Sequence, residues 1–137
     1  MIHVFCNKRG SGKTKALIHL ANERANNIKG NAVYIDDDSR PMHELDRRIR
    51  FITTNDFSLK DYESFYGFLC GILSEDYDVE NIFVDGLFNI VSGNISDAAH
   101  FFLKIENLAR KHNVEFYINI NHDCTEEIPD YLKKYVA

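Results

Sequence analysis

The run Asn7-Lys8-Arg9-Gly10-Ser11-Gly12-Lys13-Thr14 combines small residues, an ammonium group and a hydroxyl. Together those groups can hold a triphosphate. In a turn of small residues the backbone N–H groups can close around phosphate oxygens, and a helix that begins there adds a favourable dipole. Lys13 would then reach the β- and γ-phosphates, and the Thr14 hydroxyl would ligate Mg²⁺. The candidate nucleotide contacts are Asn7, Lys8, Arg9, Gly10, Ser11, Gly12, Lys13, Thr14 and Lys15. The plainer reading is a Gly-rich strand-to-helix turn with a surface lysine. Phosphate is favoured because the run lies between an apolar stretch, Ile2 to Cys6, and a helical pattern.

Carboxylates and amides stand at further positions where a metal, a water or a phosphate would be handled. Asn81-Ile82-Phe83-Val84-Asp85-Gly86 is an apolar strand pattern ending in an acid. Such a strand can deliver Asp85 to Mg²⁺ or its water shell; the alternative is a turn-forming Asp-Gly pair. Asp36, Asp37 and Asp38 follow the strand pattern Ala32 to Asp36. They are candidates for magnesium or water positioning, or else a turn with acids before a helix. Val114 to Asn121 alternates, with Phe116, Ile118 and Ile120 set against Tyr117, Asn119 and Asn121. Asn119 and Asn121 can either meet a ligand or satisfy backbone groups at a strand end. His122 and Cys124 do not make a zinc site, because no second close pair completes the ligand set.

The run from Asn7 to Thr14 resembles the Walker A loop of P-loop NTPases, G-x-x-x-x-G-K-[ST], with Asn7 in place of the first glycine. Asn tolerates φ > 0 better than other non-glycine residues, so the turn survives the change. Asp85 looks like the acid of a Walker B element. The resemblance implies an α/β fold of three layers, with a mostly parallel sheet of four to five strands flanked by helices and the nucleotide over its carboxyl edge. It implies ATP and Mg²⁺ as ligands, Thr14 and Asp85 as metal-holding residues, and Lys13, Asp85 and Asp37 as catalytic ones. RecA-like relatives can place a water-positioning acid on a neighbouring strand, and one acid among Asp36, Asp37 and Asp38 would take that part in this chain. Their γ-phosphate sensor would correspond to Asn119 or Asn121.

The patterns that mark GTPases fail, since Phe88 and the stretch Asn121-His122-Asp123-Cys124 do not carry the required residues. ATP is the expected nucleotide by elimination. Many P-loop ATPases have Glu directly after the Walker B acid; this chain has Gly86, so hydrolysis needs another base or is slow. The expected activity is a Mg-dependent ATPase that acts with a partner or as an oligomer. Residues 10 to 40 are also similar in layout to type II thymidine kinases, without their cysteine-rich zinc lobe. A small nucleoside or nucleotide kinase-like phosphotransferase is therefore one alternative, and an ATP-binding switch that does not hydrolyse is another.

Placing these groups together needs a scaffold, and the hydropathy pattern supplies it. Lys13 to Ile28 reads as a helix with the stripe Leu17, Leu20, Ala21, Ala25 and Ile28, stopped by Gly30. Strand, helix and strand in succession require a crossover, so the sheet is parallel there. After Pro41, the residues Met42, Leu45 and Ile49 fall on one helical face, with Glu44/Arg48 and Asp46/Arg50 as i,i+4 pairs. Arg40, Arg47, Arg48 and Arg50 could supply an arginine finger to a γ-phosphate or a neighbouring subunit, or form a solvated face. Phe51 to Thr54 reads as strand or loop.

Ser58 with Asp61 resembles a cap for an apolar helix over 59–73. Its stripes are Leu59, Tyr62, Tyr66, Leu69 and Leu73, and Phe65, Phe68 and Ile72, with Gly67 and Gly71 expected to allow close helix packing. That helix is either core or an interface for a second copy or a protein partner; the Arg40–Arg50 segment is the other candidate surface. Leu87 to Asn94 reads as a loop. Ser96 and Asp97 then open a helix with the stripe Ala98, Phe101, Phe102, Ile105, Leu108 and Ala109, and Pro129 precedes a terminal helix, Asp130 to Val136.

The chain of 137 residues is read as one domain, 1–137, burying about two-thirds of its unfolded surface. Its 45% apolar and 27% charged content is that of a folded soluble protein. A net charge of −5 gives no general attraction to nucleic acid or anionic membrane, while leaving room for a local basic face, so nucleic acid is not excluded. Three widely spaced cysteines, Cys6, Cys70 and Cys124, argue against a disulfide framework and for a reducing compartment. Met1 runs straight into the first strand, and no apolar run approaches about 18 residues. The expectation is a cytoplasmic protein with no membrane segment.

Overall fold

The computed structural model describes residues 1–6, 12–121 and 128–136. Its centre is a five-stranded sheet, all parallel, formed by β1 (Ile2–Cys6), β2 (Asn31–Asp36), β3 (Ile49–Thr53), β4 (Val79–Asp85) and β5 (Glu115–Ile120). The strand order is β1-β5-β4-β2-β3. Parallel strands need crossovers, and helices provide most of them. One face carries α1 (Lys13–Ala25); the other carries α2 (Tyr62–Glu75) and α4 (Ala99–His112). The result is a three-layer α/β fold. Beyond β1 the chain returns: Val4 N–H donates to the Tyr135 carbonyl at 2.8 Å, and Val136 makes a parallel bridge to Val4.

Alternation along each strand gives the sheet two different faces. Towards α2 and α4 point Val33, Ile35, Ile82, Val84, Phe116 and Ile118, which join Phe65, Leu69, Phe102 and Ile105 in the larger core. Towards α1 the register builds two rows. The first is His3, Tyr117, Phe83, Tyr34 and Phe51, one residue from each strand. Neighbouring rings are stacked, with centroids 4.8, 5.0, 6.1 and 6.2 Å apart in that order. Two residues further along each strand is the second row, Phe5, Asn119, Asp85, Asp36 and Thr53.

The structure corrects several sequence expectations. The segment after Pro41 is not a helix to Ile49. A 3₁₀ turn runs from Arg40 to Glu44, Leu45 is extended, and Ile49 begins β3. Asn22 of α1 ends the turn: its amide donates to the Glu44 carbonyl at 2.9 Å and its Oδ1 accepts from the Asp46 N–H at 2.7 Å. The i,i+4 ion pairs are replaced by Arg48–Asp46 at 2.7 Å and Arg40–Asp38 at 2.6 Å. For Phe51 to Thr54, which reads as strand or loop, the structure has edge strand β3 through Thr53, with Thr54 opening a 3₁₀ turn.

Helix α1 stops at Ala25 rather than Ile28, with Asn26 as its C-cap. The cap of α2 is Asp61, not Ser58: its carboxylate accepts from the Ser64 N–H in a reciprocal capping box. Gly67 and Gly71 have nothing within 4 Å of where a Cβ would stand, so they serve no close helix packing within the described residues. The expected stripe of α4 is buried throughout, but the helix starts at Ala99 after a 3₁₀ turn, and Asn113 closes it at φ 56°. A short helix α3 (Leu87–Ile90) follows β4, and α5 (Asp130–Lys133) ends early because Val136 pairs with β1. Cys6 is disulfide-bonded and Cys70 is a free thiol. Among the described residues, no helix is long and apolar enough to cross a membrane.

Candidate functional site

The carboxyl ends of β2, β4 and β5 meet the start of α1, the edge at which ligands bind in open α/β sheets. Gly12 precedes the helix at φ 81°, a left-handed conformation that glycine adopts without strain. Thr14, in the first turn of α1, donates its hydroxyl to Asp85 Oδ1 at 3.3 Å. Asn119 on β5 donates Nδ2 to the same oxygen at 3.1 Å and to the Lys13 carbonyl at 3.1 Å. Tyr34 on β2 donates its phenol to Asp85 Oδ2 at 2.9 Å. Asp85 is 3% exposed, and these donors from α1, β2 and β5 satisfy both of its oxygens. Burial, with the facing Asp85 carboxylate, holds the Tyr34 phenol well above its ordinary pKa, so it remains a donor.

Asp36 sits beside Asp85 on the neighbouring strand, in register with it. Burial, the adjoining Asp37 and the Asp85 charge push its carboxyl up to about 9, against the Asp38 N–H that donates to Asp36 Oδ1 at 3.1 Å. Burial beside Asp85 therefore favours the protonated form of Asp36 in the metal-free protein. Asp37 is half-buried one residue beyond the strand, and its carbonyl accepts from Thr53 Oγ1 at 3.2 Å. Asp38 is held below the usual carboxylate range by hydrogen bonds from Arg40.

A cavity of about 760 Å³ opens over this edge, within the usual range of small-molecule sites. It is lined by Gly12, Lys13, Thr14, Asp36, Asp37, Asp38, Arg40, Pro41, Glu44, Asp85, Gly86, Asn89 and Asn121. Of the residues expected from sequence, Gly12, Lys13, Thr14, Asp37 and Asp85 come together at this edge. Lys15 is exposed on α1 and is not part of the lining. Asn7, Lys8, Arg9, Gly10 and Ser11 lie outside the described residues, as do His122 and Cys124. Both asparagines of the last strand pattern are at the site, Asn119 buried beneath it and Asn121 on its wall. Of the arginines in the 40–50 segment, Arg40 is the one that lines the cavity.

Two residues at the site were not singled out from sequence. Asn89 reaches the wall because Gly86 turns at φ 73°; a Cβ on Gly86 would stand 2.9 Å from the Asn89 amide nitrogen. Tyr34 is the other. The signal for it is a repeated pair, a ring two residues before a polar side chain: Tyr34/Asp36, Phe51/Thr53, Phe83/Asp85 and Tyr117/Asn119.

The lining carries Asp36, Asp37, Asp38, Glu44 and Asp85 against Lys13 and Arg40, an excess of acid that suits a bound cation. Among the described residues, no group of three or more His, Cys, Asp or Glu side chains is placed to hold a metal ion. A metal at Thr14 and Asp85 would need further oxygens from a ligand and from water. Hard oxygens, few protein ligands and retained waters are what Mg²⁺ takes when it arrives with phosphates. The donor set present fits that ion. No protein-family model matches the chain, and no curated protein matches it.

Proposed function

We propose that this protein is a P-loop ATPase of RecA-like type that binds ATP with Mg²⁺ at the start of α1 and hydrolyses it slowly, with a partner or as an oligomer. The observation that carries the reading is the pairing of Thr14 with Asp85, a hydroxyl and a carboxylate 3.3 Å apart, at the mouth of a cavity that Lys13 also lines. Lys13 binds the phosphates, Thr14 and Asp85 hold the metal, and Asn119 fixes the Asp85 oxygen that faces Thr14. Held there by Thr14 and Asp85, Mg²⁺ would supply neutralisation of charge on the transferring phosphoryl group. Gly86 offers no carboxylate, and burial beside Asp85 favours the protonated form of Asp36 before a metal binds. Asp37, on the cavity wall just past the end of β2, is the acid we assign to orienting the attacking water. The Arg40–Arg50 segment, of which Arg40 lines the cavity, and the exposed Gly67/Gly71 face of α2 are the proposed partner surfaces.

A titration with ATP, GTP and ADP, with and without Mg²⁺, tests the reading on the wild type and Lys13→Ala. Loss of a charged phosphate contact is expected to weaken binding by more than about tenfold. Equal affinity of both proteins for every nucleotide rejects the reading. Tight binding with no turnover gives the switch in place of the ATPase. A phosphotransferase is the second reading, favoured by the cavity's size and by Pro41 and Glu44 among its lining residues. Phosphate transfer to a member of a nucleoside and nucleotide panel would establish it.

A further inference from the structure

We propose that Tyr34 is a positioning residue that fixes the Asp85 carboxylate for metal binding, and that the row of stacked rings holds Tyr34 in place for this task. The inference rests on the reading of Thr14 and Asp85 as the metal-holding pair. A carboxylate at the end of a short side chain turns in a broad torsional well, so a single hydrogen bond leaves its oxygens poorly directed. Asp85 is gripped from both sides: Tyr34 from β2 holds Oδ2, and Asn119 from β5 holds Oδ1. That grip aims Oδ1 at the Thr14 hydroxyl.

The Tyr34 ring is wholly buried and has little room to swing. Phe83 flanks it on one neighbouring strand and Phe51 on the other, with interplanar angles of 19° and 23°. The row continues through Tyr117, whose phenol accepts two hydrogen bonds from Arg24, at 2.6 and 3.1 Å. This row therefore does more than fill space beneath α1. It carries the orientation of one carboxylate across the sheet.

The test uses Mn²⁺ as the probe, with its affinity for the protein–ATP complex read by electron paramagnetic resonance, and ATP affinity measured separately in EDTA. Tyr34→Phe keeps the stack and removes the donor. It is expected to weaken Mn²⁺ binding about tenfold, the scale of a lost hydrogen bond to a charged group, and to leave metal-free ATP affinity unchanged. Phe51→Leu keeps the hydroxyl but removes one flank, and is expected to weaken Mn²⁺ binding several-fold; it decides the matter if Tyr34→Phe does not fold. Mn²⁺ affinity unchanged in both variants overturns the proposal, as does an equal loss of metal-free ATP affinity. A wild type that binds no Mn²⁺–ATP overturns instead the functional reading on which the proposal stands.

Discussion

The two faces of the sheet use the same strands for different purposes. Residues pointing to α2 and α4 are mostly aliphatic, and each can be exchanged for another apolar side chain of similar volume at small cost. Residues pointing to α1 are rings and then polar groups, arranged in rows that end at the cavity. Val84 and Asp85 are adjacent in sequence and both buried, yet one belongs to each face. The period of two along a strand lets a single β-strand carry a stability surface and a chemical surface at once. The faces therefore differ in what a mutation moves most: stability on the aliphatic face, ligand binding at the carboxylate and amide positions of the other.

The largest effect should come from the apolar face. Phe65→Ala in α2 removes a fully buried ring and is expected to cost about 3–5 kcal/mol in chemical denaturation. At denaturant-free concentrations the folded fraction should bind nucleotide as the wild type does. A large loss of affinity in that fraction would break the division between the faces. Asp85→Asn on the other face should reverse the pattern. It is expected to weaken the Mg²⁺-dependent part of ATP binding by about 2–3 kcal/mol, the scale of charge-assisted hydrogen bonds, with a smaller change in stability than Phe65→Ala. Isothermal titration with and without Mg²⁺ measures it, and an undiminished Mg²⁺ effect would remove Asp85 from the metal site.

Gly86→Ala sharpens the comparison at the turn between them. The residue sits at φ 73° with the Asn89 side chain 2.9 Å from any added Cβ. A cost of about 1–2 kcal/mol is expected from the left-handed backbone alone, read as a lowered denaturation midpoint. An unchanged midpoint would mean that the turn rearranges freely, and that Asn89 is not held on the cavity wall by it.

How far the sequence told of this depends on the face. The stripe of α4 from Ala98 to Ala109 is legible because one-sided burial writes a helical period into the chain. Lys13, Thr14 and Asp85 are legible because their chemistry is tied to local context, a strand end or a helix start. Met42, Leu45 and Ile49 mislead because their spacing suits a helix, while Asn22, distant in sequence, ends the turn that forms instead. Tyr34 reads as one more apolar strand residue, since its partner Asp85 lies 51 residues away. Asp36, Asp37 and Asp38 are indistinguishable in a row. Only pairing separates them, because Asp36 is still within the sheet beside Asp85 and Thr53 while Asp37 lies past its end.

That last distinction gives a smaller, pH-dependent effect. In the folded protein the Asp36 carboxyl titrates at about 9, against an ordinary value of 3.8. Between those values the unfolded chain has released the proton and the native protein has kept it. The native state then binds more protons, so stability falls as pH rises. The contribution of the protonated carboxyl is complete below pH about 4 and is lost as pH climbs through about 9. Asn carries a similar shape without the charge, so Asp36→Asn should remove this loss. In EDTA, its Tm advantage over the wild type should grow steadily from pH 4 to pH 8. An advantage that does not grow with pH would mean that the in-register position beside Asp85 does not set the protonation of Asp36. The α1 face would then differ from the other in the kind of side chain it carries, and not in its electrostatics.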